Sequence, residues 1–518
     1  MVKFFKQGIE ICTPAWKLTK KGKLVIIDCP SSTSVPSLLP TDSPSESNIS
    51  PSPSKCLNNP SYSFYLKCKV GSIFCGPHTC DDILAVPGLR ERACSVQAVA
   101  DTCCESCKPS TTPSISPSKC MEWVQIGDDI DGVAQGDHSG TSVSLSLDGL
   151  KVAIGASSNN GSGYNAGHVC VFERIGNSWS QVGGDIKGEF ALYSRSVSLS
   201  SDGSTVAIGA YRNRGSLSQY SKAGHVRVFK WNGAAWLQLG NDIDGEAADD
   251  SFGNSVSLSS NGRILAIGGP GNDGVNGIDS GHVRVFWWNP FLGDWIQRGS
   301  DLDGENAGDI SGYTVSLSSN GLVVAIGSTA NGGGSGHVRV YEYDGTAWQK
   351  NGNDIDGEAS NDRSSWSMSL SMDGSVVAVG ARWNDGNGLD SGHVRVFAFN
   401  GGIWSQMGAD IDGEATGDWS GTSVSLSSDG SMVAIGAQYN DGINGYQSGH
   451  VRAFKWDGVT WTQVGNDIDG EAAGDYFGFQ VSLSTDGLVV AIGSKYNGGS
   501  FQYAGHVRVL EWAPCTSL

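Results

Sequence analysis

The side chains with the most to offer chemically recur in one loop. The string D-I-D-G-E-A-x-G-D stands complete at Asp467, Asp469, Glu471 and Asp475. Its paired aspartates recur at Asp129 and Asp131, Asp242 and Asp244, Asp301 and Asp303, Asp354 and Asp356, and Asp410 and Asp412. Calcium takes roughly six to eight oxygen ligands, and carboxylates two residues apart before a glycine supply several of them. Ca2+ is therefore the candidate cofactor, with these aspartates as candidate ligands. The competing reading gives the same carboxylates to their own turns and to nearby arginines.

Seven histidines form a second set: His168, His225, His282, His337, His393, His450 and His506, one in each copy of G-H-V-R-V-F. Each alternates with valine on a strand, so the seven are spread around the fold and do not meet as one catalytic group. They are expected to be structural, in a repeated hydrogen-bond network with Arg and the aspartate loop. Departures from the repeat, such as Cys170 for Arg, Lys187 for Asp, Phe190 for Ala and Ala453 for Val, assemble no base, acid and orienting partner. Phosphate-loop, H-E-x-x-H and G-x-S-x-G strings are absent from the sequence. No catalytic residue is assigned, and the chain reads as a non-enzyme.

The elements that hold these residues follow from a repeat of 53 to 59 residues. W-x-Q-x-G-x-D-I-D-G starts at Trp123, Trp179, Trp236, Trp295, Trp348 (shifted by one residue), Trp404 and Trp461. S-V-S-L-S and V-A-I-G-A follow, and G-H-V-R-V-F completes each period. All four segments are short, rich in Val and Ile, and bounded by Gly, Asn, Asp or Ser, which marks strands. S-D-G or S-N-G between the second and third segments signals a hairpin with positive φ at both central residues. Four antiparallel strands per period, seven times over, predict an all-β fold: a seven-bladed β-propeller of four-stranded blades. The Trp residues are expected to pack between blades, some of them as sugar-stacking platforms.

The order of segments predicts how the ring closes. The domain begins with a Trp123 strand and ends with a His506–Trp512 strand, so the two should pair as outer and third strands of one blade. Cys120 and Cys515 flank that seam, and a Cys120–Cys515 disulfide is expected, worth about 5 kcal/mol on the chain-entropy account. Upstream lie a stub (1–30) with Cys12 and Cys29 as an expected pair, a Ser/Pro-rich linker (31–55), a cysteine-dense module (56–107) and a second linker (108–119). Eight cysteines in about fifty residues is the usual solution for a domain too small to be held by its core. The propeller occupies 120–515. Cys170 is left over and is expected as a buried free thiol.

The segments S-F-G-N-S-V-S-L-S (251–259), L-A-I-G-G-P (265–270) and G-H-V-R-V-F (281–286) resemble FG-GAP repeats, the blades of the integrin α propeller. The resemblance covers 120–513 and implies a ligand-binding propeller on cell surfaces or in secreted proteins. The family's calcium loops lie between the first two strands, where this chain has only S-D-G, so those sites do not carry over. R-A-C-S-V-Q-A-V-A-D-T-C-C-E-S-C faintly resembles the end of ShK-like modules.

A net charge of −19 disfavours nucleic acid and anionic lipid as partners. No apolar run of membrane-spanning length occurs, and the first thirty residues do not form a clear signal peptide, so Met1 need not be the true start. The cysteine count nevertheless suits an oxidising compartment, with Asn48 and Asn160 as glycosylation acceptors. The expectation is an extracellular module that binds protein or glycan through its acidic loop face. The alternatives are a polysaccharide hydrolase or lyase, and an intracellular scaffold.

Overall fold

A computed structural model describes residues 121–515 apart from 162, 164, 189–195, 214–221 and 500, together with the backbone of six short strands before residue 80. Two compact units divide the chain at Ser118 and Lys119. In the first unit Phe4–Lys6 pairs with Ile9–Ile11, Ala15–Leu18 with Leu24–Ile27, and Ser63–Tyr65 with Pro77–Thr79. The expected linkers, the Cys12–Cys29 pair, the cysteine module and Asn48 lie outside the described residues.

The second unit is a ring of seven antiparallel blades. In blade two, Ser196–Leu199 lines the axis, followed outward by Thr205–Ala210, His225–Trp231 and Trp236–Gln238. Blade seven closes the ring as the segment order requires. Its third strand, His506–Pro514, takes Met121–Gln125 as outer partner, with Trp512 opposite Trp123 and Pro514 opposite Met121. Cys515 is disulfide-bonded, and its partner lies outside the described residues.

Two features differ from the sequence reading. Only the glycine of each S-D-G turn has positive φ, as at Gly203 (φ 65°), while Ser200 O accepts from Gly203 N at 2.8 Å. The turn is thus a tight turn closed by one left-handed glycine, because Asp202 instead accepts from Ser200 Oγ and Ser204 N. And D-I-D is not loop: Ile243–Asp244 and its equivalents continue the outer strand, pairing Asp244 with His225 and Ile243 with Val226.

Three rings of hydrogen bonds tie neighbouring blades. The middle serine of each S-V-S-L-S accepts from the leucine N–H of the next blade at 2.9–3.1 Å: Ser144 from Leu199, Ser198 from Leu258, and so on to Ser482 from Leu145. A backbone circuit runs Leu147→Ser201→Ser260→Ser319→Met372→Ser428→Thr485→Leu147 at 2.7–3.0 Å. Each outer-strand Trp donates its indole N–H to a carbonyl of the preceding blade, such as Trp404 to Asn351 at 2.8 Å and Trp123 to Val464 at 3.0 Å. Trp295 and Trp404 are buried and the others half-buried. These tryptophans are ties between blades. Between each blade pair lies one apolar cluster, for example Val226, Val228 and Ile243 against Val256, Leu265 and Phe286.

The FG and GA dipeptides acquire a physical meaning here. Gly253 O approaches Gly209 of the preceding blade so closely that a Cβ on Gly209 would overlap it. The inner strands pack this tightly because a glycine faces a glycine.

Candidate functional site

The polar residues fall into two groups on the face that carries the D-I-D-G-E loops. The first lies at the blade junctions. The seven histidines are all buried on the first position of the third strand. The first aspartate of D-I-D accepts from the Gln of W-x-Q, as Gln406 Nε2 to Asp410 Oδ1 at 2.6 Å, and turns Oδ2 toward the histidine, 3.8 Å from His393 Nδ1. Asp129, Asp242, Asp301 and Asp467 repeat this arrangement. In blade four Asp354 meets Arg339 and Lys350 instead.

The second aspartate plays another part. Its backbone pairs with the histidine, as Asp131, Asp244, Asp303, Asp356, Asp412 and Asp469 all show. Its carbonyl accepts from the next blade's arginine in four blades: Arg284 to Asp244, Arg395 to Asp356, Arg452 to Asp412, Arg508 to Asp469. Arginine therefore meets the loop through its backbone and through the glutamate that follows: Arg284 holds Glu246 at 2.9 Å, and Arg395 holds Glu358 at 3.4 Å.

Burial, with Arg395 and Arg452 beside them, pushes His393 and His450 down to about 4, so both rings are neutral. Burial raises Glu358 and Glu414, and raises Asp303, Asp412 and Asp469 with help from the neighbouring aspartate of each pair. Among the described residues, glutamate, histidine and first aspartate come together in five blades: Asp129, Glu471 and His506; Glu246, His282 and Asp301; Glu305, His337 and Asp354; Glu358, His393 and Asp410; Glu414, His450 and Asp467. The sequence reading missed this grouping because the glutamate comes from the preceding blade.

His168 has no such partner, since Val133 stands where other blades have Glu. Cys170, in the arginine position, is a buried free thiol that donates to Asp185 at 3.3 Å, and burial drives its pKa up. Asn160 is exposed.

The second group breaks the symmetry. In the six described loops the residue after the acidic loop's last aspartate has left-handed backbone: His138, Ser251, Ile310, Arg363, Trp419 and Tyr476 all have φ of 55–58°. The preceding aspartate, buried in each case, fixes this conformation. Asp418 accepts from Ala415 N at 2.9 Å and from Asn440 Nδ2, on the next loop of its own blade, at 3.1 Å. Asp475 is held the same way by Ala472 N and Asn497.

On these positions and their neighbours eight aromatic rings run in an unbroken arc from blade four to blade one. The order is Tyr313, Trp366, Trp383, Trp419, Tyr439, Tyr476, Tyr496 and His138, with centroids 4.3–6.1 Å apart. All eight are half-buried. Arg382 lies 3.2 Å over Trp366 and 4.4 Å over Trp419, and Lys495 lies 4.7 Å over Tyr496. A cleft of about 860 Å³ opens along the arc over blades five to seven, lined by Arg382, Trp419, Tyr439, Tyr476, Lys495 and Tyr503 among others. It shares Arg382, Gln438 and Phe479 with the axial channel below. The channel's far end is ringed by leucines, including Leu145, Leu258 and Leu370. The signal for this arc lay in the positions that vary between copies: the residue after the acidic loop's last aspartate (His138, Trp419, Tyr476), the start of the inner strand (Tyr313, Trp366), and the loop after V-A-I-G-A (Trp383, Tyr439, Tyr496).

With that geometry in hand, comparison with known proteins gives the class. The FG-GAP repeat family matches residues 355–397, which hold the end of one outer strand and most of blade five. That match and the seven-bladed ring support a propeller repeat of FG-GAP type. No curated protein sequence matches the chain. Among solved structures, the WD40 repeats of RRP9 are similar over 76% of this chain and 100% of that one, at 13% identity and a TM-score of 0.47. A 6-phosphogluconolactonase candidate from Bacteroides uniformis ATCC 8492 is similar over 64% of this chain and 86% of that one, at 14% identity and a TM-score of 0.46. A propeller of such repeats supports a binding or scaffold role in general.

Proposed function

We propose that this propeller is a non-catalytic, extracellular binding module that holds a glycan in the aromatic cleft over blades five to seven. One observation carries the reading: seven nearly equivalent blades differ where their loops meet the axis, and there the differences gather into one aromatic and cationic arc. Half-exposed Trp and Tyr faces suit the C–H faces of sugar rings, while tyrosine hydroxyls, Arg382 and Gln438 offer hydrogen bonds. Arg382 and Lys495 bring positive charge to a chain of net −19, which favours carboxylated or sulfated sugars. This moves the binding surface inward from the acidic loops to the residues that follow them. Among the described residues lining the cleft the one carboxylate, Asp475, is buried and bound to Ala472 N and Asn497, which disfavours acid–base catalysis there.

A glycan array of the full chain, repeated with Trp419→Ala and Tyr476→Ala, tests the proposal. The expected result is retention of acidic glycans by the wild type and at least about a tenfold loss in either variant, the scale of one good aromatic contact. Binding that survives both substitutions refutes the cleft. Shortened glycans in the eluate support the hydrolase or lyase reading instead. A non-reducing gel after thiol block tests the oxidising compartment, since free thiols throughout would favour the intracellular scaffold.

A further inference from the structure

The junction triads have an arrangement that the binding reading does not use. In the His393 site, Nδ1 is buried, has no hydrogen-bond partner, and faces two carboxylate oxygens: Glu358 Oε2 at 3.9 Å and Asp410 Oδ2 at 3.8 Å. A buried imidazole nitrogen without a partner is costly, and native proteins rarely leave one so. The carboxylates are each held from behind by their other oxygen, Glu358 Oε1 by Arg395 at 3.4 Å and Asp410 Oδ1 by Gln406 at 2.6 Å. Oriented ligands braced by outer donors are how proteins build metal sites.

The same atoms take the same parts elsewhere. His450 Nδ1 stands 3.7 Å from Glu414 Oε2 and 3.9 Å from Asp467 Oδ2. His506 Nδ1, also buried, stands 3.3 Å from Asp129 Oδ2, within hydrogen-bond reach, and 3.9 Å from Glu471 Oε2.

We infer that these blade junctions bind divalent transition-metal ions, zinc(II) foremost, through one imidazole nitrogen and two carboxylate oxygens, with water completing the shell. Ligand atoms about 2.1 Å from a tetrahedral zinc lie ~3.4 Å from one another, so nitrogen–oxygen gaps of 3.7–3.9 Å close by up to about half an ångström on binding and the 3.3 Å gap at His506 needs no closing. Imidazole among the donors favours zinc and its neighbours over calcium, which prefers oxygen alone. The ligand set also differs from the paired aspartates: the second aspartate of D-I-D is not in it. The carboxylates are partly exposed, 43% for Glu358 and 30% for Asp410, which gives the ion a path from solvent. Blade one, with Val133 in the glutamate position, is a built-in negative case.

The test uses the full chain, freed of metal by chelator and equilibrated with cobalt(II) or zinc(II) chloride, with bound metal counted by elemental analysis after desalting. Several equivalents per chain are expected. Asp410→Asn and Glu358→Gln should each lower the count by one, while Asp373→Asn, in a turn outside the triad, should leave it unchanged. The visible spectrum of the cobalt form should show nitrogen–oxygen ligation and lose intensity in step. Because both test positions are partly exposed, their circular dichroism should match wild type. His393→Ala serves as a second check if it folds. Retention of less than one equivalent, a count indifferent to Asp410→Asn and Glu358→Gln, or uptake of calcium alone would overturn the inference.

Discussion

Removing one serine hydroxyl from the ring that joins the inner strands tests whether the blades are held edge to edge. In Ser316→Ala the Leu370 amide, which donates to Ser316 Oγ at 3.1 Å, loses its acceptor. Leu370 is 8% exposed, so water replaces that acceptor poorly. An orphaned buried donor costs about 1–3 kcal/mol, and the lower half applies because the serine itself is only half-buried. For a domain the size of 121–515, an unfolding entropy of about 2.1 cal/mol/K per residue gives roughly 0.8 kcal/mol per degree, so 1–2 kcal/mol lowers the melting temperature by about 1–3 °C. Scanning calorimetry resolves that shift. Ser198→Ala and Ser369→Ala remove the equivalent acceptors of Leu258 and Leu426 in blades far apart, so together they should lower the melting temperature by the sum of their separate effects. An unmoved melting temperature in all three single variants would show that the hydroxyl ring is incidental to holding the blades together.

The seam offers a second test. Pro514 pairs with Met121, and Cys515 follows the one as Cys120 precedes the other, so mapping of unreduced peptides should recover Cys120 joined to Cys515. Cys515 joined elsewhere would refute the closure, and Cys515→Ser should cost about 5 kcal/mol on the loop-entropy account. Gly209→Ala drives a Cβ into the Gly253 carbonyl and should destabilise by roughly 3 kcal/mol or more; a soluble variant with wild-type melting would contradict the packing. Acid should destabilise the fold. Burial depresses the pKa of His168 and of His138 below the usual imidazole value. The unfolded chain therefore takes up protons that the native state refuses once pH falls below about 6.5. Their contribution is complete above that pH and is lost on the way down, so the melting temperature should hold from pH 8 to 7 and fall by pH 5.5. A rise over that interval would reverse the sign of the argument.

The fold was legible because it is written seven times. The tryptophan, serine–valine, alanine–isoleucine and histidine segments each fix one strand, and the leftover Trp123 segment names its partner across the seam. The turn type was less legible: S-D-G looks like a two-residue turn until Asp202 is seen to cap it and leave positive φ to Gly203 alone. D-I-D looks like loop because its charges hide a core residue, Ile243 or Ile411, between them. The junction triads were hidden for a different reason. Glu358 and His393 are far apart in sequence and meet only because adjacent blades stack. The aromatic arc was hidden by the repeat itself, since aligning the copies treats their discordant loop positions as noise.

One of these positions, the residue after the buried aspartate, carries a final prediction. His, Ser, Ile, Arg, Trp and Tyr occupy it with φ confined to 55–58°, although a bulky or β-branched residue there pays a conformational cost of order 1–3 kcal/mol. The backbone is therefore imposed from outside the side chain, by the buried aspartate before it and the loop of the preceding blade, as in Trp419 N to Asp390 O at 3.2 Å. A position whose backbone is set independently of its side chain can change residue without changing the fold. Trp419→Ser should accordingly keep the wild-type melting temperature to within a degree or two while abolishing glycan retention. Ile310→Gly should raise stability by about 1 kcal/mol, because glycine adopts this conformation without strain. Unfolding of Trp419→Ser would mean that the arc is part of the core and exists to hold blades together. Destabilisation by Ile310→Gly would mean that the isoleucine sets its own backbone. Either result would remove the reason to read the arc as a surface for a ligand.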